Sequence, residues 1–176
     1  MAHLHFDTAA GRGLLEYGGE GILSVQLPSK NAFVPGNGSS AKCGGWKNAE
    51  KALQLLLSYY DGKAADFSPL ILDLGGRSNF FLKVCNLVRN IPYGEVLTYG
   101  EVAKLAESPH ASRAVGRVMA ANPIPVIIPC HRVVASNGLL TGYSAEGGLE
   151  TKADLLRMEG VPFRKKGMVD VEKKGL

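Results

Sequence analysis

The chain lacks the features that would place it in a membrane, in the secretory route or in a disulfide scaffold. No apolar run approaches the roughly 18 residues that a spanning helix requires. Asp7, Arg12, Glu16 and Glu20 interrupt the stretch in which a secretory signal needs an apolar core. Cysteine is scarce. Cys43, Cys85 and Cys130 are odd in number and show no paired spacing, which argues against a disulfide framework and leads us to expect free thiols in a reducing compartment, the cytoplasm or a eukaryotic nucleus. His3 and His5 alternate as metal-binding pairs do, but nothing near them completes a ligand set, so an ordinary terminal strand is expected there. Charge of one sign is in small excess. Residues 1–75 sum to −1, residues 76–160 to +2 and the last sixteen to +3, within a total of +4. A basic C-terminal half suits a polyanionic partner, and a solvated tail ending Val171-Glu172-Lys173-Lys174 accounts for part of it equally well.

What is present fits a folded α+β protein of two domains, with a boundary at Gly75-Gly76. Residues 1–75 read as a small α/β domain with a short antiparallel sheet. Apolar pieces lie at residues 14–17 and 21–27, a Pro/Gly/Asn/Ser-rich surface loop runs from Pro28 to Gly45, and a helix spans Trp46 to Tyr60, closed by Asp61-Gly62. Pro69 to Leu74 reads as a further strand. Residues 76–176 read as mostly helical, with a basic tail from about residue 161. Ser78 caps a helix over Asn79–Arg89 that carries Cys85 on its apolar side, as an inert core thiol. Thr98-Tyr99-Gly100-Glu101 has the capping-box form and opens a short helix to Ala106. A second helix, from Ser108-Pro109 to Ala121, completes a helix-turn-helix. Arg113 and Arg117 share one face of it, suited either to a phosphate backbone or to solvent. A last helix covers about Leu149 to Glu159, with Leu149, Ala153 and Leu156 as its buried stripe and Gly160 closing it.

The chemistry concentrates in Pro125-Val126-Ile127-Ile128-Pro129-Cys130-His131-Arg132-Val133-Val134. So apolar a run reads as a buried strand that Pro129 stops just before the thiol. A cysteine reacts as its thiolate and needs a base, and His131 is adjacent. Neighbours on an extended chain point to opposite sides, so the pair requires a bend or a bridging water. The histidine then needs an acceptor to fix its tautomer, and Glu159, at the end of the last helix, is a carboxylate that the chain can fold back to supply. On spacing alone, an unreactive buried Cys-His pair remains as good a reading.

Pro129-Cys130-His131-Arg132-Val133 combines with Asn122-Pro123, Arg113-Ala114-Val115-Gly116, Pro92-Tyr93-Gly94-Glu95-Val96, Thr98-Tyr99, Gly142-Tyr143 and Gly147-Gly148-Leu149. Together they resemble the O6-alkylguanine-DNA alkyltransferases, or methylated-DNA–protein-cysteine methyltransferases. The resemblance spans about residues 78 to 160; the first 75 residues carry no comparable motif. It implies irreversible, single-turnover transfer of an alkyl group from O6-alkylguanine, with O4-alkylthymine as a second substrate, to Cys130, without a cofactor; the N-terminal half lacks the cysteine and histidine set that binds structural zinc in some relatives, so no metal is expected. It implies a relay of Cys130, a water, His131 and Glu159, with Asn122 holding the turn and Tyr99 donating to the guanine ring. Met119, Pro125, Val133, Tyr143 and Ser144 would line the pocket, and backbone groups of Cys130 and Val133 would read the guanine edge. The partner implied is double-stranded DNA, bound by a monomer through the minor groove with little sequence preference. Arg113 would fill the stack vacated by a flipped nucleotide, the small residues Ala114, Gly116 and Ala121 would permit close approach, and Arg117 would meet the phosphate backbone. Ala145-Glu146 lengthens the loop after Tyr143-Ser144 beyond the family's pattern, which points to a wider pocket mouth. A cysteine hydrolase, a DNA-binding regulator and a non-catalytic lesion sensor are the competing readings.

Overall fold

Alternation of side chains in the first thirty residues builds an antiparallel sheet of β1 (Ala2–Thr8), β2 (Gly11–Tyr17) and β3 (Ile22–Ser29), in the order β1-β2-β3. Phe6 lies opposite Gly13, where a Cβ would fall 2.4 Å from the Phe6 ring, so the absent side chain makes room for the aromatic one. Helix α1 (Trp46–Tyr60) contributes Ala49, Ala52, Leu56 and Tyr59 to the core of this region, beside Leu15, Tyr17 and Val25. The run from Pro69 to Leu74, expected as a strand, touches the sheet at one parallel bridge between Ile22 and Leu72. The side-chain amide of Asn48 explains why pairing stops there. It accepts from Ile71 N–H (2.9 Å), a donor that a longer ladder would use, and also donates to Ile71 O (2.8 Å), which already accepts from Ile22 N–H at 3.0 Å.

The computed structural model describes residues 1–30, 44–145 and 147–171 and divides into two compact units. One is Met1–Gly76 with Pro123–Pro125; the other is Arg77–Asn122 with Val126–Leu176. The short insertion belongs with the first unit, where Val25 N–H donates to Pro123 O at 2.9 Å. Most of the expected surface loop, Cys43, Glu146 and the last five residues lie outside the described residues. No helix among the described residues is long and apolar enough to cross a membrane.

In the second unit, local capping decides the helix starts. Ser78 accepts from Phe81 N–H at the head of α2 (Asn79–Arg89). Thr98 and Glu101 form the full capping box at the head of α3 (Tyr99–Leu105). Helix α4 (Ser112–Ala120) begins later than expected, and its N-cap Ala111 makes no side-chain bond. Ser108 and Pro109 sit instead in the tight turn closed by Ala111 N–H to Ser108 O (2.8 Å), where proline suits the second position. Helix α5 (Gly148–Met158) buries Lys152, Ala153, Leu155 and Leu156; Leu149, expected in the stripe, is exposed.

Two further corrections bear on function. The apolar run before Cys130 is buried but is not a strand. Pro125 and Pro129 lack amide donors, Val126 adopts a left-handed φ of 71°, and Cys130–Arg132 form one turn of 3₁₀ helix. The strand, β5 (Val133–Val134), comes after the thiol and pairs in parallel with β4 (Leu97–Thr98). The expected basic tail contains, among its described residues, a hairpin of β6 (Phe163–Lys165) and β7 (Met168–Val169). Val161 and Val169 share a core with Val96, Val134, Leu140, Ala153 and Leu156.

Candidate active site

The 3₁₀ turn supplies the bend that an extended chain lacked, presenting Cys130, His131 and Arg132 within a single turn. Asn122 secures its entrance. Its Nδ2 donates to Ile128 O at 2.9 Å, and its side chain also hydrogen-bonds the Cys130 thiol. Cys130 and His131 are almost completely withdrawn from solvent.

Glu159, the residue capping the C-terminus of α5, is the hub. Its Oε1 accepts from His131 Nε2 (2.7 Å) and Arg132 Nη2 (2.9 Å). Its Oε2 accepts from Arg132 Nε (2.8 Å) and Gly94 N–H (3.2 Å). Arg132 Nη1 donates onward to Ile91 O at 2.6 Å. Burial alone would raise the Glu159 carboxyl, but the histidine hydrogen bond and the guanidinium outweigh it and hold it near 2. Glu159 is therefore ionised, the proton of the shared bond belongs on His131 Nε2, and Nδ1 is the basic nitrogen. Burial holds His131 below its ordinary value, leaving it neutral and available as a base.

The thiol is pulled both ways. Burial pushes Cys130 up, while Asn122, the Lys152 ammonium and the amides opening the 3₁₀ turn favour the thiolate without overcoming it. Lys152 is fully buried. Its Nζ donates to Val133 O (2.6 Å) and Thr141 O (3.0 Å) and lies about 6 Å from the ring centres of Tyr99 (5.9 Å) and Tyr143 (6.0 Å). Burial lowers it to about 8, against a favourable interaction with Cys130. A nucleophile, a neutral base with an ionised orienting carboxylate, and a buried cation favouring the thiolate make up the machinery of a nucleophilic cysteine.

An open groove of about 550 Å³ is lined by α4 residues Ser112, Arg113, Gly116, Arg117 and Ala120, by Tyr99, and by Thr141 and Gly142. Arg113 and Arg117 are exposed along it. A Cβ on Gly116 would come 3.9 Å from the Tyr99 ring, and Ala114 is half-buried on the same helix. Tyr99 Oη donates to Thr141 O at 3.2 Å, and burial raises its phenol. The other residues expected around the pocket are placed as follows. Met119 and Val133 are core residues, and the Val133 carbonyl already accepts from Lys152. Pro125 is buried and groups with the first unit. Tyr143 packs beside Lys152, and Ser144 is exposed and donates to Ala120 O at 2.8 Å.

Comparison with known proteins identifies the family. The family model described as 6-O-methylguanine DNA methyltransferase, DNA binding domain, matches residues 79–161. The methylated-DNA–protein-cysteine methyltransferase of Methanosarcina acetivorans is 37% identical over 164 residues, covering 91% of this chain and 99% of that one. The chain belongs to this family. The Mycobacterium leprae protein of the same name is 36% identical, over 87% of this chain and 88% of its own. Among solved structures, Mycobacterium tuberculosis OGT in complex with DNA superposes with a TM-score of 0.72 at 32% identity, covering 90% of this chain and 92% of that one. The O6-methylguanine-DNA methyltransferase of Pyrococcus kodakaraensis gives 0.64 at 27% identity, over 91% and 99%. These matches extend across the N-terminal residues, where no motif is visible.

Lys152 and Arg132 are the site residues that motif reading did not assign. Each nevertheless leaves a signal. Lys152 falls in phase with the apolar positions of α5, and Arg132 interrupts a run whose other members are all buried. A cation at such a position needs hydrogen-bonding partners inside the protein.

Proposed function

We propose that the protein repairs O6-alkylguanine in DNA, and O4-alkylthymine, by moving the alkyl group onto Cys130 in one irreversible turnover. The observation that carries this reading is the 3₁₀ turn joining the Cys130 thiol to a neutral His131 whose Nε2 is fixed at 2.7 Å by an ionised Glu159. The proton leaves Cys130 through a water to His131 Nδ1. The sulfur then attacks the alkyl carbon, an S–C bond forms as the C–O6 bond breaks, and the electron pair departs onto the guanine ring. A hydrogen bond from the Tyr99 hydroxyl, turned from Thr141 O to the base, stabilises that leaving group, and the proton held on His131 Nδ1 balances the charge that departs with it. Lys152 balances the thiolate before attack, Asn122 keeps the turn closed, and Arg132 holds Glu159 in place. The thioether formed has no nearby group able to hydrolyse it, so each molecule acts once and needs no cofactor.

A base stacked in a duplex cannot reach a buried thiol, and rotating it out costs a few kcal/mol. A related structure is a complex with DNA. The groove beside α4 suits the minor groove of double-stranded DNA, with Arg113 filling the vacated stack and Ala114, Gly116 and Arg117 against the backbone. Contacts to phosphate and shape carry little sequence preference. A monomer suffices, because every catalytic group comes from one chain, and residues 76–176 hold both the reaction and the DNA contacts. In this reading Met119, Val133, Tyr143 and Ser144 line the pocket that takes the flipped base.

Substrate-excess kinetics test the reading. With an O6-methylguanine duplex in tenfold excess, transfer stops near one equivalent per protein. Continued turnover indicates a hydrolase, and no transfer at all rejects the proposal.

A further inference from the structure

We propose that the C-terminal hairpin supplies a second phosphate-contacting edge for DNA, formed by Lys165 and Lys166; this rests on the reading of the α4 groove as a DNA site. The hairpin is stitched to the segment that leads into the groove. Val169 N–H donates to Gly138 O (2.9 Å), Leu140 N–H donates to Gly167 O (3.0 Å), and Leu139 bridges Met168. The approach is close enough that a Cβ on Gly138 would meet Val169 O at 2.2 Å. Leu140 immediately precedes Thr141, which with Gly142 lines the groove along with the residues of α4. Lys166 is likewise one residue from Gly167. Two Cα steps of about 3.8 Å and one hydrogen bond therefore separate the turn from the groove, within roughly 12 Å.

The charges there are available. Arg164 is paired with Asp170 at 2.9 Å, whereas Lys165 and Lys166 are exposed and form no ion pair among the described residues. Arg113 and Arg117 already line the groove from α4. Cations then flank the groove on the α4 side and beyond the Thr141–Gly142 segment. Cations on two sides complement a duplex, whose minor groove is bordered by two phosphate backbones. Contacts of this kind anchor the protein without reading sequence, and they release counterions.

The test measures binding of the full-length protein to an unmodified duplex between 50 and 200 mM salt, alongside transfer from the free base O6-benzylguanine. K165A/K166A is expected to weaken duplex binding about tenfold at the low-salt end and to flatten the log–log salt slope by about 2, uniformly across sequences. Its free-base transfer rate stays at the wild-type value, which also certifies the fold. K47A/K51A, which removes the same charge from α1, leaves the slope unchanged. An unaltered slope in K165A/K166A, an equal loss in K47A/K51A, or a parallel fall in the free-base rate each overturns the proposal. Failure of the functional reading is seen separately, as absence of transfer from an O6-methylguanine duplex to the wild-type protein.

Discussion

Two buried thiols occupy the same unit and differ in everything that surrounds them. Cys85 sits on the inner face of α2 with Phe81, Val84 and Val88, and burial pushes its thiol up to about 12, with Cys130 adding to the rise and Arg77 opposing it. Cys130 is also desolvated, yet it meets an asparagine side chain, a lysine ammonium and two backbone amides. Burial alone makes a cysteine inert. Reactivity comes from polar groups that the fold has already paid to bring inside, and the α2 face has none of them within its packing.

The sharpest way to break this contrast is substitution of the thiols themselves. Cys130→Ala is expected to abolish alkyl transfer, whereas Cys85→Ala keeps the rate within about twofold and costs only packing; single-turnover assays with an O6-methylguanine duplex check both. Next, His131→Gln removes the base and leaves a neutral hydrogen-bonding side chain beside Glu159. Transfer slows by about 10² to 10⁴, with duplex affinity retained. Lys152→Met removes the buried cation while keeping its length. Transfer slows by about tenfold, and the thiol titrates at higher pH than in the wild type, as followed by iodoacetamide alkylation across pH.

Glu159 gives an effect on stability as well as rate. Glu159→Gln leaves the Arg132 guanidinium buried without its carboxylate, an arrangement that costs about 3–5 kcal/mol, so a lowered Tm accompanies slow transfer. For the same reason acid weakens the fold. The carboxyl is held near 2 in the folded protein, below its unfolded value of about 4.3. Its contribution is complete above the unfolded value and drains away as pH falls through the folded one. Urea midpoints that decline between about pH 4.5 and 2 in the wild type, and less so in Glu159→Gln, check this sign. The smallest effect belongs to Asn122→Ala, which strands the Ile128 carbonyl and costs about 1–3 kcal/mol in the same measurement.

How much of this was legible in the sequence follows the range of the interaction. Ser78 and the Thr98–Glu101 pair satisfy amides within three residues, so both helix starts could be read from the chain. The start of α4 misled because Ser108-Pro109 serves a turn as well as it would serve a helix. Burial of the run before Cys130 was legible, but its shape was not: an apolar run looks alike whether it ends as a strand or as a 3₁₀ turn, and the bond from Asn122 to Ile128 O decides between them only once the chain is folded. The convergence of His131 and Glu159 followed from the motif, whereas the bidentate grip of Arg132 and the two carbonyls under Lys152 depend on segments brought together by packing. The C-terminal residues read as a tail because their lysines mask Val161, Phe163, Met168 and Val169, the apolar positions that dock the hairpin.

The most direct measurement is peptide-mapped mass spectrometry after reaction with one equivalent of a duplex carrying O6-methylguanine. The predicted result is a single methyl group, confined to the peptide containing Cys130, with the Cys85 peptide unmodified. An unchanged Cys130 peptide, or methyl found on Cys85, would contradict the account.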